Sequence, residues 1–262
     1  MERTKPGEFN WVDVAAHDLE KQSAFYEKLF GWSHADTPFA EGMVYRTFSS
    51  DGHNVAGMSE LAPDMIAHGQ PSTWNVYVAT EDVDATTAKA AELGGTVVMP
   101  AMDVVDVGRM AAIQDPTGAY LFFWKPVRHD ETIEYMQPGT LSWNDLTTRD
   151  PQRAADFYKQ LLGWEIQRMD AGPMPYWQVV VEGQGEGGIM PMPDTMPSEM
   201  PSFWMPYFGS TDVAADVAKA EELGATVVAE TTEIPGMLVF AVLADPAGAT
   251  FALLQPIGAG QP

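Results

Sequence analysis

Apolar and polar residues alternate over residues 9–15, the signature of a half-buried strand, and the alternation places Trp11 and Asp13 on one face. The period then changes. Asp18 stands at a helix N-cap position, and the pairs Phe25/Leu29 and Tyr26/Phe30 build one apolar stripe on the helix that Gly31 ends. Strand-like runs follow at 32–35, 43–48 and 55–61, separated by turn-rich pieces such as Ser50-Asp-Gly-His. Residues 9–61 therefore read as a strand, helix, three-strand module, with the helical stripe as core.

The same grammar returns three times. After a Pro-containing connection over 62–71, residues 74–79 predict a strand, 82–93 a helix stopped by Gly94, and 96–99, 109–114 and 119–125 three further strands. Asp115-Pro-Thr-Gly is the hairpin turn between the last two, and the module spans 73–125. Trp143 to Trp164 then retraces Trp11 to Trp32. Lys89-Ala-Ala-Glu-Leu-Gly94 matches Lys219-Ala-Glu-Glu-Leu-Gly224, and Asp245-Pro-Ala-Gly matches the first turn, giving modules at 141–192 and 203–255. A repeat of about 130 residues means tandem domains rather than a solenoid of short units. The expected division is an N-terminal domain 1–127, a polar linker 128–137 and a C-terminal domain 138–262, each long enough to bury a core of its own. Residues 190–206 depart from the repeat, being rich in Met and Pro. They read as a stiff connection between modules, or as an adaptable lip over an apolar pocket.

Composition narrows the function classes. A hydrophobic fraction of 45% suits a globular protein, and no run approaches the roughly 18 apolar residues that span a bilayer. Met1-Glu-Arg-Thr-Lys-Pro-Gly lacks the apolar centre of a signal peptide, so the expected location is the cytoplasm. The absence of cysteine removes disulfides, thiolate metal sites and cysteine nucleophiles. A net charge of −23 argues against nucleic acid and anionic membranes as partners, and reads as an acidic, solvated surface.

With Asp-Leu-Glu-Lys-x-x-x-Phe-Tyr-x-x-Leu-Phe-Gly-Trp from Asp18 and Gly-Arg-Met-x-x-x-x-Asp-Pro-x-Gly-Ala from Gly108, the chain resembles the vicinal oxygen chelate superfamily over nearly its whole length. That superfamily includes glyoxalase I, bleomycin-resistance proteins and extradiol dioxygenases. The resemblance is strongest to tandem-domain actinobacterial members, often labelled glyoxalase-like or hydroxylase. It implies an α+β fold in which each half curls two βαβββ modules around a cavity, where metal-dependent relatives place three or four ligands. Carried over by position, the ligand sites fall on Trp11, Asn75 and Phe122 in the first half and on Trp143, Met205 and Ala252 in the second. Imidazole and carboxylate are absent from all six, so neither an iron triad nor a glyoxalase-type zinc or nickel set is expected, and dioxygenase chemistry is disfavoured. The expectation is no metal and no cofactor.

The same offsets name the cavity-facing side chains. These are Trp11, Asp13, Asn75, Tyr77, Phe122 and Trp124 in the first half, and Trp143, Asp145, Met205, Tyr207, Ala252 and Leu254 in the second, with Tyr45 and Tyr176 adding hydroxyls from a middle strand. An aromatic face with few polar groups has the composition of a small-molecule pocket, and a filled sandwich core would look alike. Asp13 and Asp145 read either as desolvated general bases or as braces bonded to the backbone. Arg109 reads as a binder of a substrate carboxylate or phosphate, or as one end of a structural ion pair. The five histidines, His17, His34, His53, His68 and His129, fall near turns and show no ligand spacing. The leading expectation is a protein, monomeric or homodimeric, that binds a small, largely apolar or aromatic molecule without a metal. Its rivals are a glyoxalase-like lyase or isomerase, working through Asp13 with Tyr77 and Asn75 or through a metal at shifted positions, and an interaction protein with vestigial cavities.

Overall fold

A computed structural model of the chain describes residues 5–40, 43–104, 106–127, 135–169 and 174–257. The first half contains β1 (Phe9–Ala16), α1 (Leu19–Phe30), β2 (Ser33–Ala40), β3 (Met43–Ser50), β4 (His53–Glu60), α2 (Pro63–Ala67), β5 (Thr73–Ala79), α3 (Val83–Glu92), β6 (Thr96–Val104), β7 (Gly108–Gln114) and β8 (Tyr120–Pro126). The second repeats it with β9 (Leu141–Thr148), α4 (Pro151–Leu162), β10 (Glu165–Met169), β11 (Tyr176–Val181), β12 (Gln184–Pro191), β13 (Phe203–Gly209), α5 (Val213–Glu222), β14 (Thr226–Ile234), β15 (Leu238–Ala244) and β16 (Thr250–Pro256). The proposed linker lies largely outside the described residues. The short α2, within the Pro-containing connection, is an addition to the sequence reading; Pro63 at its first turn suits the fixed φ of proline.

Helix boundaries follow local chemistry. Asp18 accepts from the backbone N–H of Lys21 at 3.0 Å, and the corresponding aspartates Asp82, Asp150 and Asp212 cap the other long helices in the same way. Gly31 and Gly163 end α1 and α4 at φ 76° and 74°, a left-handed conformation that only glycine adopts without cost.

Each half is one curled, mixed eight-stranded sheet, ordered β2-β3-β4-β1-β5-β8-β7-β6 and β10-β11-β12-β9-β13-β16-β15-β14. The two modules of a half meet through their first strands. β1 runs antiparallel to β5, pairing Asp13 with Asn75 and Trp11 with Tyr77, while β4 and β8 flank them in parallel, pairing Gly57 with Asp13 and Phe122 with Tyr77. The positions singled out in the sequence thus become neighbours at the middle of the sheet.

The opposite face of each sheet, carrying Val12 and Val14, packs against helices, and here the structure corrects the expectation of one core per half. A single buried cluster joins both halves. Phe25 and Tyr26 of α1 pack against Phe251, Phe30 and Trp32 against Phe208, and Phe9 against Trp164 and Trp204, with ring centroids 5.2–6.2 Å apart. The apolar stripe of α1 is core, but part of that core belongs to the other half. The repeat then generates reciprocal polar contacts. Tyr26 and Gln22 donate to Asp245 Oδ2 at 2.9 and 2.7 Å, Trp74 Nε1 donates to Tyr26 OH, and Tyr158 donates to Asp115 Oδ2 at 2.8 Å while accepting from Trp204 Nε1. Trp32 Nε1 and Trp164 Nε1 complete the seam by donating to the carbonyls of Gly139 and Gly7.

Candidate functional site

On the helix-free face of the first sheet, Asp13 is 5% exposed and sits at the centre of a closed hydrogen-bond group. Asn75 Nδ2 donates to Oδ1 at 2.8 Å, while Tyr77 and Tyr45 donate to Oδ2 at 2.7 and 3.1 Å. Trp11 Nε1 donates to Tyr45 OH at 2.7 Å. An indole N–H can only donate, so the Tyr45 oxygen is an acceptor there and its own proton goes to Asp13. Burial pushes the Asp13 carboxyl above its usual value, opposed by hydrogen bonds from Asn75, Tyr77 and Tyr45. Burial and the adjacent carboxylate push Tyr77 well above the usual phenol value, so it keeps its proton.

Around this group Trp11, Phe122 and Trp124 are half-buried, and the Tyr77 and Phe122 ring centroids lie 4.8 Å apart. Two glycines make the arrangement possible, and their roles escaped the sequence reading. A Cβ at Gly57 would overlap the Tyr45 hydroxyl, and one at Gly108 would overlap the Trp124 ring. A glycine inside a strand pattern is the signal that could have found them, since it marks close approach by another group.

The second face repeats the core of the arrangement with different walls. Tyr176 OH and Trp143 Nε1 donate to Asp145 Oδ1 at 2.7 and 3.0 Å, and a Cβ at Gly188 would overlap Tyr176. Burial raises the Asp145 carboxyl, against hydrogen bonds from Tyr176, Tyr207 and Trp143. Met205 replaces the amide of Asn75, and Met205, Tyr207, Ala252 and Leu254 form a separate apolar cluster with Trp143 packed on it.

Arg109 leaves the candidate site. It lies on the helix side of β7, where it binds Asp84 of α3 at 2.6 and 2.8 Å and Asp103 at 2.7 Å. Strand alternation explains the reversal, because Arg109 pairs with Lys125 while its neighbour Met110 pairs with Trp124 on the helix-free face. The reading of Asp13 and Asp145 as braces bonded to the backbone is also replaced, since their partners are side chains. Of the histidines, His17 bonds to the Gln70 carbonyl, His34 to Glu27 and His68 to the Asp64 carbonyl; His129 lies outside the described residues.

The residues that would have to hold a metal do not fit one. Trp11 and Phe122 offer no ligand atom, and the Asp13 oxygens and the Asn75 amide nitrogen are engaged with one another. Among the described residues no three of His, Asp and Glu stand close enough to share an ion. Two small hollows elsewhere, one lined by Gly7, Thr80 and Leu161 and one by Asp156, Lys159 and Trp177, contain no comparable group.

Residues 8–123 match the glyoxalase/bleomycin resistance protein/dioxygenase superfamily and residues 144–254 match the glyoxalase-like domain. Over 254 residues, 96% of both chains, the sequence is 39% identical to "Putative glyoxylase CFP32" of Mycobacterium tuberculosis. The chain belongs to the glyoxalase/bleomycin resistance protein/dioxygenase superfamily. A second relative, the anthracycline biosynthesis protein DnrV of Streptomyces peucetius, is 34% identical over 97% of this chain and 95% of its own. The fold superposes on the Mn(II)-bound glyoxalase of Novosphingobium aromaticivorans with a TM-score of 0.67 at 14% identity, over 97% of this chain and 84% of that one. It superposes on 2,2',3-trihydroxybiphenyl 1,2-dioxygenase of Sphingomonas wittichii with a TM-score of 0.64 at 11% identity, over 97% and 91%. At these identities the solved structures share the superfamily fold with this chain, and the chemistry must be read from its own side chains.

Asp13→Asn tests how far burial opposes the charge. A carboxyl whose folded-state pKa lies above its unfolded value adds stability below the unfolded value, near 3.8, and loses it as pH rises through the folded value. Asn75 can turn its amide to complement the new one, so the substitution removes the charge and keeps the shape. The unfolding free energy of the variant relative to wild type should therefore rise as pH goes from about 4 to 8. Urea titrations at several pH values measure it, and a flat difference would mean that Asp13 is not desolvated.

Proposed function

We propose that this protein is a cytoplasmic, metal-independent binder of a small, largely aromatic molecule, held on the helix-free face of its N-terminal sheet. The observation that carries the reading is the pre-formed Asp13, Tyr45, Tyr77, Asn75 group, with Trp11 bonded to it and half-buried rings on its flank. Rigid aromatic walls around a few fixed polar atoms favour planar ligands at little ordering cost. No helix among the described residues is long and apolar enough to cross a membrane. A relative named for anthracycline biosynthesis is consistent with a ring-bearing ligand. The tandem repeat already supplies the pairing of two sheets within one chain, which supports a monomer.

The test combines elemental analysis with ligand titration. Purified protein should hold no stoichiometric zinc, nickel, manganese or iron, and an aromatic ligand should raise Tm in a saturable way without being consumed. Gly57→Ala should weaken that binding by about tenfold or more, because its methyl group displaces Tyr45 from Asp13 and unseats Trp11. Unchanged binding by the alanine variant would move the site elsewhere.

The Asp13 carboxylate, with Tyr77 bonded to it at 2.7 Å, also supports a second reading, an isomerase or lyase in which Asp13 takes a proton from one substrate atom and returns it to a neighbouring one while Tyr77 keeps its own. The family names of the relatives favour carbonyl chemistry for it. Turnover of the methylglyoxal–glutathione adduct, lost in Asp13→Asn, would establish this reading over the binder.

A further inference from the structure

The helix-free face of the N-terminal sheet holds a negative charge that no described side chain balances. Trp11 donates to Tyr45, which frees the Tyr45 proton for Asp13, and Tyr77 and Asn75 also act as donors; three donors to one carboxyl favour its charged form against the burial that raises its pKa. The basic residues carried on strands all turn the other way. Arg46 binds Glu20 of α1 and Asp36, Arg109 binds Asp84 of α3, Lys125 donates to the Glu81 carbonyl beside the start of α3, and Arg168 lies over Trp177 of the common core. The remaining described lysines and arginines sit on helices, in loops or in the N-terminal segment. Dipoles of two phenols and an amide stabilise the Asp13 charge locally, but its field still reaches the face, because the rings around it are apolar and screen it poorly.

Those rings have the matching property. Trp11, Tyr77, Phe122 and Trp124 present π-faces or edges next to the charged group, and aromatic faces attract cations. The hydroxyl protons of Tyr45 and Tyr77 are committed inward to Asp13, so neither hydroxyl has a proton to offer an anion. Charge, ring quadrupoles and hydroxyl orientation thus favour the same kind of group.

We propose that this face selects a cationic aromatic molecule, its body against Trp11, Phe122 and Trp124 and its positive group beside Tyr45 and Tyr77, in the field of Asp13. The proposal rests on the small-molecule reading above and adds the charge of the ligand. The second face would share the preference more weakly, since Met205 stands in place of Asn75 and its walls at Ala252 and Leu254 are not aromatic.

Three planar tricyclic probes test it by calorimetry at physiological ionic strength, where the general acidity of the surface is screened. They are proflavine, which is cationic, acridine, which is neutral, and anthracene carboxylate, which is anionic. Proflavine should bind at least about tenfold more tightly than acridine, and the carboxylate more weakly than either. Asp13→Asn should reduce the proflavine advantage over acridine to about twofold or less. Glu92→Gln on exposed α3 removes the same charge from the surface and should keep the advantage. Equal binding of proflavine and acridine, or an advantage that survives Asp13→Asn, overturns the cation preference and leaves the aromatic binder intact. Failure of all three probes to bind overturns both.

Discussion

Asp245→Ala is expected to destabilise the protein by about 3–5 kcal/mol, although it lies in a hairpin turn and belongs to neither candidate site. Asp245 is 3% exposed and accepts from four donors. Tyr26 OH and Gln22 Nε2 reach Oδ2 across the seam, and the backbone N–H groups of Ala247 and Ala249 reach Oδ1 within the turn. Removing the carboxylate strands all four in a site with little access to water, and each buried orphan costs about 1–3 kcal/mol before relaxation. Tyr26→Phe should cost less, about 1–2 kcal/mol, because it strands only the Trp74 N–H and one carboxylate lone pair. Asp115→Ala should match Asp245→Ala, since Tyr158, Thr117 and Ala119 depend on Asp115 in the equivalent way. Guanidinium unfolding ranks the three. A loss below about 1 kcal/mol for Asp245→Ala would mean that water replaces the carboxylate and that the seam is not sealed.

The second large effect concerns the halves themselves. Cut within residues 128–134 and expressed as separate chains, neither half should unfold cooperatively alone, and an equimolar mixture should regain the parent's near-UV circular dichroism. Each half on its own would expose rings that only the other covers: Tyr26, Phe30 and Trp32 lose Phe208 and Phe251, while Phe9 loses Trp164 and Trp204. Burying an aromatic side chain contributes about 1.5–3 kcal/mol, so the loss of several exceeds the net stability of an ordinary domain. A half that showed the parent's transition on its own would mean that the shared cluster is dispensable.

Part of the site could be read from the chain directly. Alternation along β1 placed Trp11 beside Asp13, and the offsets implied by the superfamily resemblance named Asn75, Tyr77 and Phe122, because strand pairing between modules keeps one register. Arg109 could not be placed this way. It stands one residue from the cavity side of β7, and sequence offsets tolerate such a slip while the pleat does not. Gly57 and Gly188 were silent for another reason: the space that they leave is filled by tyrosines from the adjacent strand, and nothing local to the glycines records that.

The sequence by itself determined the modules, their caps and stops, and the tandem repetition. Each of these rests on contacts three or four residues apart, or on a periodicity that survives in the linear order, such as Asp18 with Lys21 or Gly31 after the helical stripe. Only the tertiary structure decided that Asp13 is held by three side chains from two other strands, and that the Asp-Pro-x-Gly turn of one half receives the tyrosine of the other. The Tyr26–Asp245 contact joins positions 219 residues apart. A carboxylate carries no mark of its eventual donor; the pairing is chosen by which buried polar groups the packed rings leave without water, and that is settled only when both halves close on one core.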